Sequence, residues 1–109
     1  MLPKAKKMTS KEVTSLFSQA KTLKNELFLL KFSKNDQNRP LFAVAPSKKV
    51  FPTAVERNKA RRRIYSAVAK SGMDTINFSF VFIPNREALQ APYTTLVEVM
   101  KNVCTKLRT

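Results

Sequence analysis

The alternation of apolar and polar positions divides the chain into a short series of elements. Residues 1–8 are basic, carry Pro3, and read as a flexible or loosely docked arm. Thr9 and Glu12 have the spacing of a capping box, in which each side chain accepts a backbone N–H at a helix start. Val13, Leu16, Phe17 and Ala20 then recur at i, i+3, i+4 and i+7, one apolar helical face, so a helix is predicted over 9–21. Residues 27–32 are apolar apart from one lysine and too few for a helix; they read as a strand. The polar stretch 33–40 carries turn-forming Asn, Asp and Pro, and 41–45 is a second strand, so the pair reads as a hairpin. One more short strand fits near 48–50. A second helix starts at Thr53, an N-cap after Pro52, and stops before Gly72, the single glycine of the chain. Over 75–83 the alternation is strict. Ile76, Phe78, Phe80 and Phe82 share one face, with Thr75, Asn77 and Ser79 on the other. Val81 and Ile83 turn that second face apolar near the end, the mark of a central strand, and Pro84 closes it. Tyr93, Leu96, Val97, Met100, Cys104 and Leu107 follow helical spacing over 92–108. The order is α-β-β-(β)-α-β-α, an α+β arrangement in one domain over 1–109.

Length supports that count, since 109 residues hold one core. A hydrophobic share of 43% is enough for it, so the chain is not a disordered polycation. The charge changes the picture more. With 21 Lys+Arg against 7 Asp+Glu the net charge is +14, which is costly on a compact fold without a polyanionic partner. Nucleic acid and anionic membrane are the two candidates. The apolar runs are far too short to span a bilayer, and the first residues have no apolar stretch of signal-peptide type. A soluble cytoplasmic protein with no membrane partner is expected.

One cysteine and no histidine limit the chemistry. No disulfide can close within the chain, which fits a reducing compartment. Neither a structural zinc nor histidine acid–base catalysis is available. Seven scattered carboxylates show no cluster for catalytic metals. Cys104 sits on the apolar stripe of the last helix and reads as a small core residue.

The basic charge is concentrated. Residues 48–63 hold Lys48, Lys49, Arg57, Lys59, Arg61, Arg62 and Arg63 against Glu56 alone, six of the fourteen net charges. Asn58, Arg61, Arg62 and Tyr65 share one helical face; Ala60, Ile64, Ala67 and Val68 share the opposite one. Like charges one turn apart repel by roughly 0.2–0.5 kcal/mol per pair, and no interleaved acids offset this. A phosphate lattice would. Arginine pairs bidentately with phosphate and stacks on bases, asparagine reads base edges or the 2′-OH, and tyrosine stacks. These residues point to nucleic acid without choosing between RNA and DNA, although no helix-turn-helix spacing or minor-groove arm appears.

Ser47-Lys48-Lys49, then Ala54-Val55-Glu56-Arg57-Asn58, then Arg61-Arg62, resembles the Arg-Asn-Arg signature of the bacterial ribonuclease P protein component. Leu2-Pro3-Lys4 with 9–17 is similar to that family's opening arm and first helix, Phe28-Leu29-Leu30 to its first strand, and Phe80-Val81-Phe82-Ile83-Pro84 to its late strand. The resemblance implies a four-stranded sheet packed by three helices, ribosomal-protein-like, with a left-handed β-α-β crossover. It implies an accessory subunit of an endonuclease whose RNA carries out catalysis and holds the magnesium, the protein itself binding no cofactor. It implies a 1:1 complex of a monomer with ribonuclease P RNA through Lys48, Lys49, Arg57, Asn58, Lys59, Arg61, Arg62 and Tyr65. The 5′ leader of precursor tRNA would lie in a cleft lined by Val13, Phe17 and Lys31. The chain departs from the family at Tyr65, where a third basic residue is usual, and at Val13 and Lys31, where aromatics are. A structural ribosomal RNA-binding protein of similar fold is the alternative reading.

Overall fold

Alternation along the strands sorts the apolar side chains onto the two faces of one sheet. The computed structural model describes residues 6–7, 20–34, 41–73 and 78–108. Its strands are β1 (Lys6–Lys7), β2 (Lys21–Lys24), β3 (Phe28–Lys34), β4 (Leu41–Val44) and β5 (Phe78–Pro84). Its helices are α1 (Ala54–Ser71), α2 (Glu87–Gln90) and α3 (Tyr93–Arg108). The sheet order is β1-β4-β5-β3-β2. β5 is central, antiparallel to β3 from Phe28↔Pro84 to Lys34↔Phe78 and parallel to β4. β2 adds antiparallel to the far side of β3, and β1 contributes a two-residue parallel pairing to β4. Four strands of four residues or more, with helices, make the expected α+β fold, and β4-α1-β5 is its parallel β-α-β unit.

The face of the sheet that carries Phe28, Leu30, Phe42, Phe80 and Phe82 meets Ile64, Ala67 and Val68 of α1 and Leu96, Met100, Val103 and Cys104 of α3. The rings interlock: Phe42 stacks on Phe80 with centroids 5.0 Å apart, and Phe28 meets Phe82 edge-on at 5.2 Å. Each such buried phenylalanine contributes on the order of 1.5–3 kcal/mol of transfer free energy. Cys104 is a buried free thiol in this core, as its stripe predicts. The other face carries a smaller cluster of Leu41, Ala43 and Val81, with Ala20 and Ile83 beside it. Val81 and Ile83 therefore do face a second apolar layer, as a central strand requires. No helix among the described residues is long and apolar enough to cross a membrane.

Several expectations change. β3 and β4 are not a hairpin, because β5 is inserted between them. The turn signal over 33–40 reports that the chain reverses, and β3 and β4 do run in opposite directions. It cannot report that β5, apolar on both faces, takes the place between them. Residues 48–50 form a turn and not a strand, with the Phe51 N–H donating to the Ser47 carbonyl at 2.9 Å. The additional strand is β2, whose Lys-Thr-Leu-Lys sequence has one side chain, Leu23, against the core. An edge strand of this kind is held by ladder bonds to β3 and needs little apolar pattern. The helix expected over 9–21 lies mostly outside the described residues, and its last position, Lys21, begins β2. Lys6 and Lys7, within the segment read as an arm, are docked as β1. The one-turn α2 had no periodic signal of its own.

Candidate nucleic-acid interface

Local chemistry fixes both ends of α1. Thr53 has extended backbone angles, φ −100° and ψ 149°, and its hydroxyl oxygen accepts from the Glu56 N–H at 3.1 Å. Gly72 ends the helix in the left-handed region at φ 86°, where a Cβ would be crowded. Ahead of the helix, Ser47 shapes the turn that bears the two lysines. Its hydroxyl accepts from the Val50 N–H at 3.2 Å, leaving Lys48 and Lys49 exposed at the tip.

The predicted division of α1 into two faces holds. Ala60, Ile64, Ala67 and Val68 are buried. Asn58, Lys59 and Arg62 are exposed, and Arg61 and Tyr65 are half-buried along one flank. Arg61 Nη1 donates to Asn58 Oδ1 at 2.7 Å, so the two side chains orient each other. Burial of the Tyr65 ring raises its phenol above the ordinary value, an effect the Arg61 charge partly opposes. Tyr65 is thus a neutral hydroxyl at neutral pH, able to donate as well as stack.

The arginines of this segment divide by position. Arg57 lies nearer the core, and its Nη1 donates to the carbonyls of Phe51 at 2.9 Å and Pro52 at 3.2 Å. It ties the connector to the helix through one nitrogen and keeps further N–H donors on its guanidinium. Arg63, on the opposite flank, donates from Nε to the Ala88 carbonyl at 3.1 Å and from Nη2 to the Ala91 carbonyl. It holds α1 to the α2–α3 corner. Among the described residues Arg61 and Arg62 donate to no such backbone carbonyl; Arg62 is exposed and Arg61 reaches only the Asn58 side chain.

Lys31 is elsewhere. It pairs in register with Val81 and Thr22, so its side chain leaves the sheet on the face opposite α1. There its Nζ donates to Thr22 Oγ1 at 2.8 Å. Its two predicted companions, Val13 and Phe17, lie outside the described residues. Lys31 and the residues of α1 therefore lie on opposite sides of the sheet.

Sequence reasoning passed over two features of the α1 surface. Val55 is 73% exposed beside Asn58 and Lys59, an apolar contact on an otherwise polar face. Arg86, thirty residues beyond Glu56 in sequence, donates to Glu56 Oε2 at 2.9 Å. That bond, with the Arg86 charge, holds the Glu56 carboxyl below its ordinary value. Val55 stands out only once its exposure is known, and nothing in the sequence links Arg86 to Glu56. No group of three or more His, Cys, Asp or Glu residues able to hold a metal ion occurs among the described residues.

The surface is thus a rigid basic helix and turn, anchored by inward arginines and open along one stripe. A model of the ribonuclease P family matches residues 2–108. Among solved structures, the fold is similar to the RNase P protein of Staphylococcus aureus, with a TM-score of 0.77 at 16% identity, covering 93% of this chain and 94% of that one. It is similar also to the RNase P protein of Thermotoga maritima, with a TM-score of 0.77 at 24% identity, covering 90% of this chain and 94% of that one.

Proposed function

The chain belongs to the ribonuclease P protein family, the protein part of a tRNA-processing endonuclease ribonucleoprotein, and from that premise we propose how it acts. The outward stripe of α1 and the Ser47 turn bind the catalytic RNA subunit through Lys48, Lys49, Asn58, Lys59, Arg61, Arg62 and Tyr65, with Arg57 contributing through its further N–H donors. The opposite sheet face, which carries Lys31, receives the 5′ leader of precursor tRNA, and Val13 and Phe17 belong to the same leader-binding set. The protein does no bond-breaking. It screens phosphate repulsion between two RNAs and positions the leader, while the RNA subunit supplies catalysis and magnesium. A cytoplasmic monomer joins the RNA in a 1:1 complex and binds no cofactor of its own.

The observation that carries this reading is the partition of the arginines: two are engaged with main-chain carbonyls, and Arg61 and Arg62 stand with Asn58 on the outer flank of α1, without a carbonyl partner among the described residues. Reconstitution with ribonuclease P RNA at low magnesium tests it. The protein is expected to restore 5′ processing, and Arg61→Ala and Arg62→Ala are each expected to weaken RNA-subunit binding by roughly 1–3 kcal/mol. Wild-type affinity in the double variant would remove α1 from the interface. For the leader, Lys31→Ala is expected to narrow the affinity difference between leader-bearing and mature tRNA in the reconstituted complex. Preferential binding of ribosomal RNA would favour a ribosomal role instead.

A further inference from the structure

The geometry points to Arg86 as a positioning residue for the RNA-facing surface: it clamps the lysine-bearing turn to α1 and offsets the carboxylate of the helix's first turn, which stands beside that turn. This rests on the reading of α1 as the RNA-subunit face.

Arg86 belongs to the corner between β5 and α2, remote in sequence from the turn it touches. Its Nη1 lies 2.9 Å from Glu56 Oε2, in the first turn of α1, and 3.1 Å from the carbonyl oxygen of Val50, which closes the Ser47 turn. Its guanidinium carbon stands 5.8 Å from the centre of the Phe51 ring, and Phe51 is fully buried. One group therefore joins the turn, the connector and the helix. Arg57 holds the same connector through the carbonyls of Phe51 and Pro52. Two clamps fix where Lys48 and Lys49 stand relative to Arg61 and Arg62, so the phosphate contacts need not be ordered at the moment of binding.

The charge matters as much as the geometry. Glu56 is the sole carboxylate between residues 47 and 63. It serves the helix start, where a negative charge complements the positive end of the dipole. The Thr53 hydroxyl lies 3.3 Å from its Oε1. The Glu56 charge also stands beside the lysine-bearing turn, because Arg86 Nη1 reaches both that carboxylate and the Val50 carbonyl, and there it weakens the attraction of Lys48 and Lys49 for phosphate. Arg86 offsets that effect at its source, because its guanidinium is aimed at the acid. The helix keeps its acidic first turn and the interface keeps its potential.

The test uses the full chain and ribonuclease P RNA, with affinity measured across a salt series. Arg86→Ala is expected to weaken binding about three- to tenfold, the scale of a partly exposed charge interaction. Glu56→Gln is expected to bind at least as tightly as wild type. Glu56→Gln/Arg86→Ala is expected to recover a clear part of the loss, since it removes the exposed anion. A helix-stabilising role alone would not produce that rescue. If Arg86 itself contacted phosphate, Arg86→Ala would reduce the log–log salt slope by about 0.7–0.9, and Glu56→Gln would restore nothing. That outcome overturns the proposal, as does binding within twofold of wild type by Arg86→Ala. Should Arg86→Ala fail to fold, Arg86→Gln with and without Glu56→Gln gives the same comparison. Arg62→Ala separates the levels. If it weakens binding and Arg86→Ala does not, the clamp fails alone; if neither weakens binding, the reading of α1 fails and the clamp with it.

Discussion

Arg63 donates to two main-chain carbonyls, so truncating it leaves both without their partner at the contact of α1 with the α2–α3 corner. Arg63→Ala is expected to lower stability by roughly 1.5–3 kcal/mol in urea melts, the range for hydrogen bonds from a charged donor. RNA affinity of the folded variant should stay within twofold of wild type; a larger loss would place Arg63 on the RNA surface. Glu56 and Tyr65 give opposite signs with pH. The Glu56 carboxyl is held below its ordinary 4.5, so its pairing with Arg86 stabilises the fold above that pH and is lost as pH falls through the folded value. Carboxyl NMR titration should show Glu56 moving up toward the ordinary value in Arg86→Ala. The Tyr65 phenol is raised above 10.0 by burial, so stability is full below that pH and declines as pH rises through the folded value. Absorbance titration should show a late-ionising phenol that Tyr65→Phe abolishes. Single residues of this kind were half legible in the sequence. The type of Arg57, Arg61, Arg62 and Arg63 is plain, but which of them turn inward depends on carbonyls supplied by other elements.

At the level of elements, α1 is the best-specified part of the chain. Its cap, its stop and its buried face all depend on residues within a few positions of one another, and all stand where the sequence puts them. Thr53→Ala is expected to cost about 1 kcal/mol by thermal melt, and Gly72→Ala a further ~1–2 kcal/mol because of the left-handed backbone there. If Thr53→Ala is neutral, Glu56 and the connector hold the helix start without the hydroxyl. The strands were less legible. β2 escaped notice because an edge strand with three polar residues of four carries no alternation to find. The 48–50 stretch invited a strand reading, yet Ser47 binds the backbone at both Val50 and Phe51 and bends it into a turn. That same turn holds Lys48 and Lys49 at its exposed tip.

For the whole molecule, a charge of +14 on one fold predicts RNA binding that falls steeply with salt, because each neutralised phosphate releases counterions. Filter binding across a salt series checks this, and a flat profile would remove the polyanion reading altogether. α1 and Lys31 lie on opposite faces of the sheet, so under the proposed function variants on one side should spare the function of the other. Composition, helix caps, the inward and outward faces of α1 and the central character of β5 followed from the sequence by itself. Each depends on spacing within one segment, and backbone sterics and burial read that spacing directly. Strand order, the insertion of β5 between β3 and β4, the inward turn of Arg57 and Arg63 and the reach of Arg86 to Glu56 were decided only by the tertiary structure. Apart from Arg57, whose carbonyl partners lie five and six positions back in the connector, they rest on bonds between residues 25 to 59 positions apart, such as Arg63 to the Ala88 carbonyl and the Asn85 amide to the Glu26 carbonyl, or on which buried surface best fills the sheet. No local pattern records the partner of a long-range contact, because its free energy exists only once the chain has closed around it.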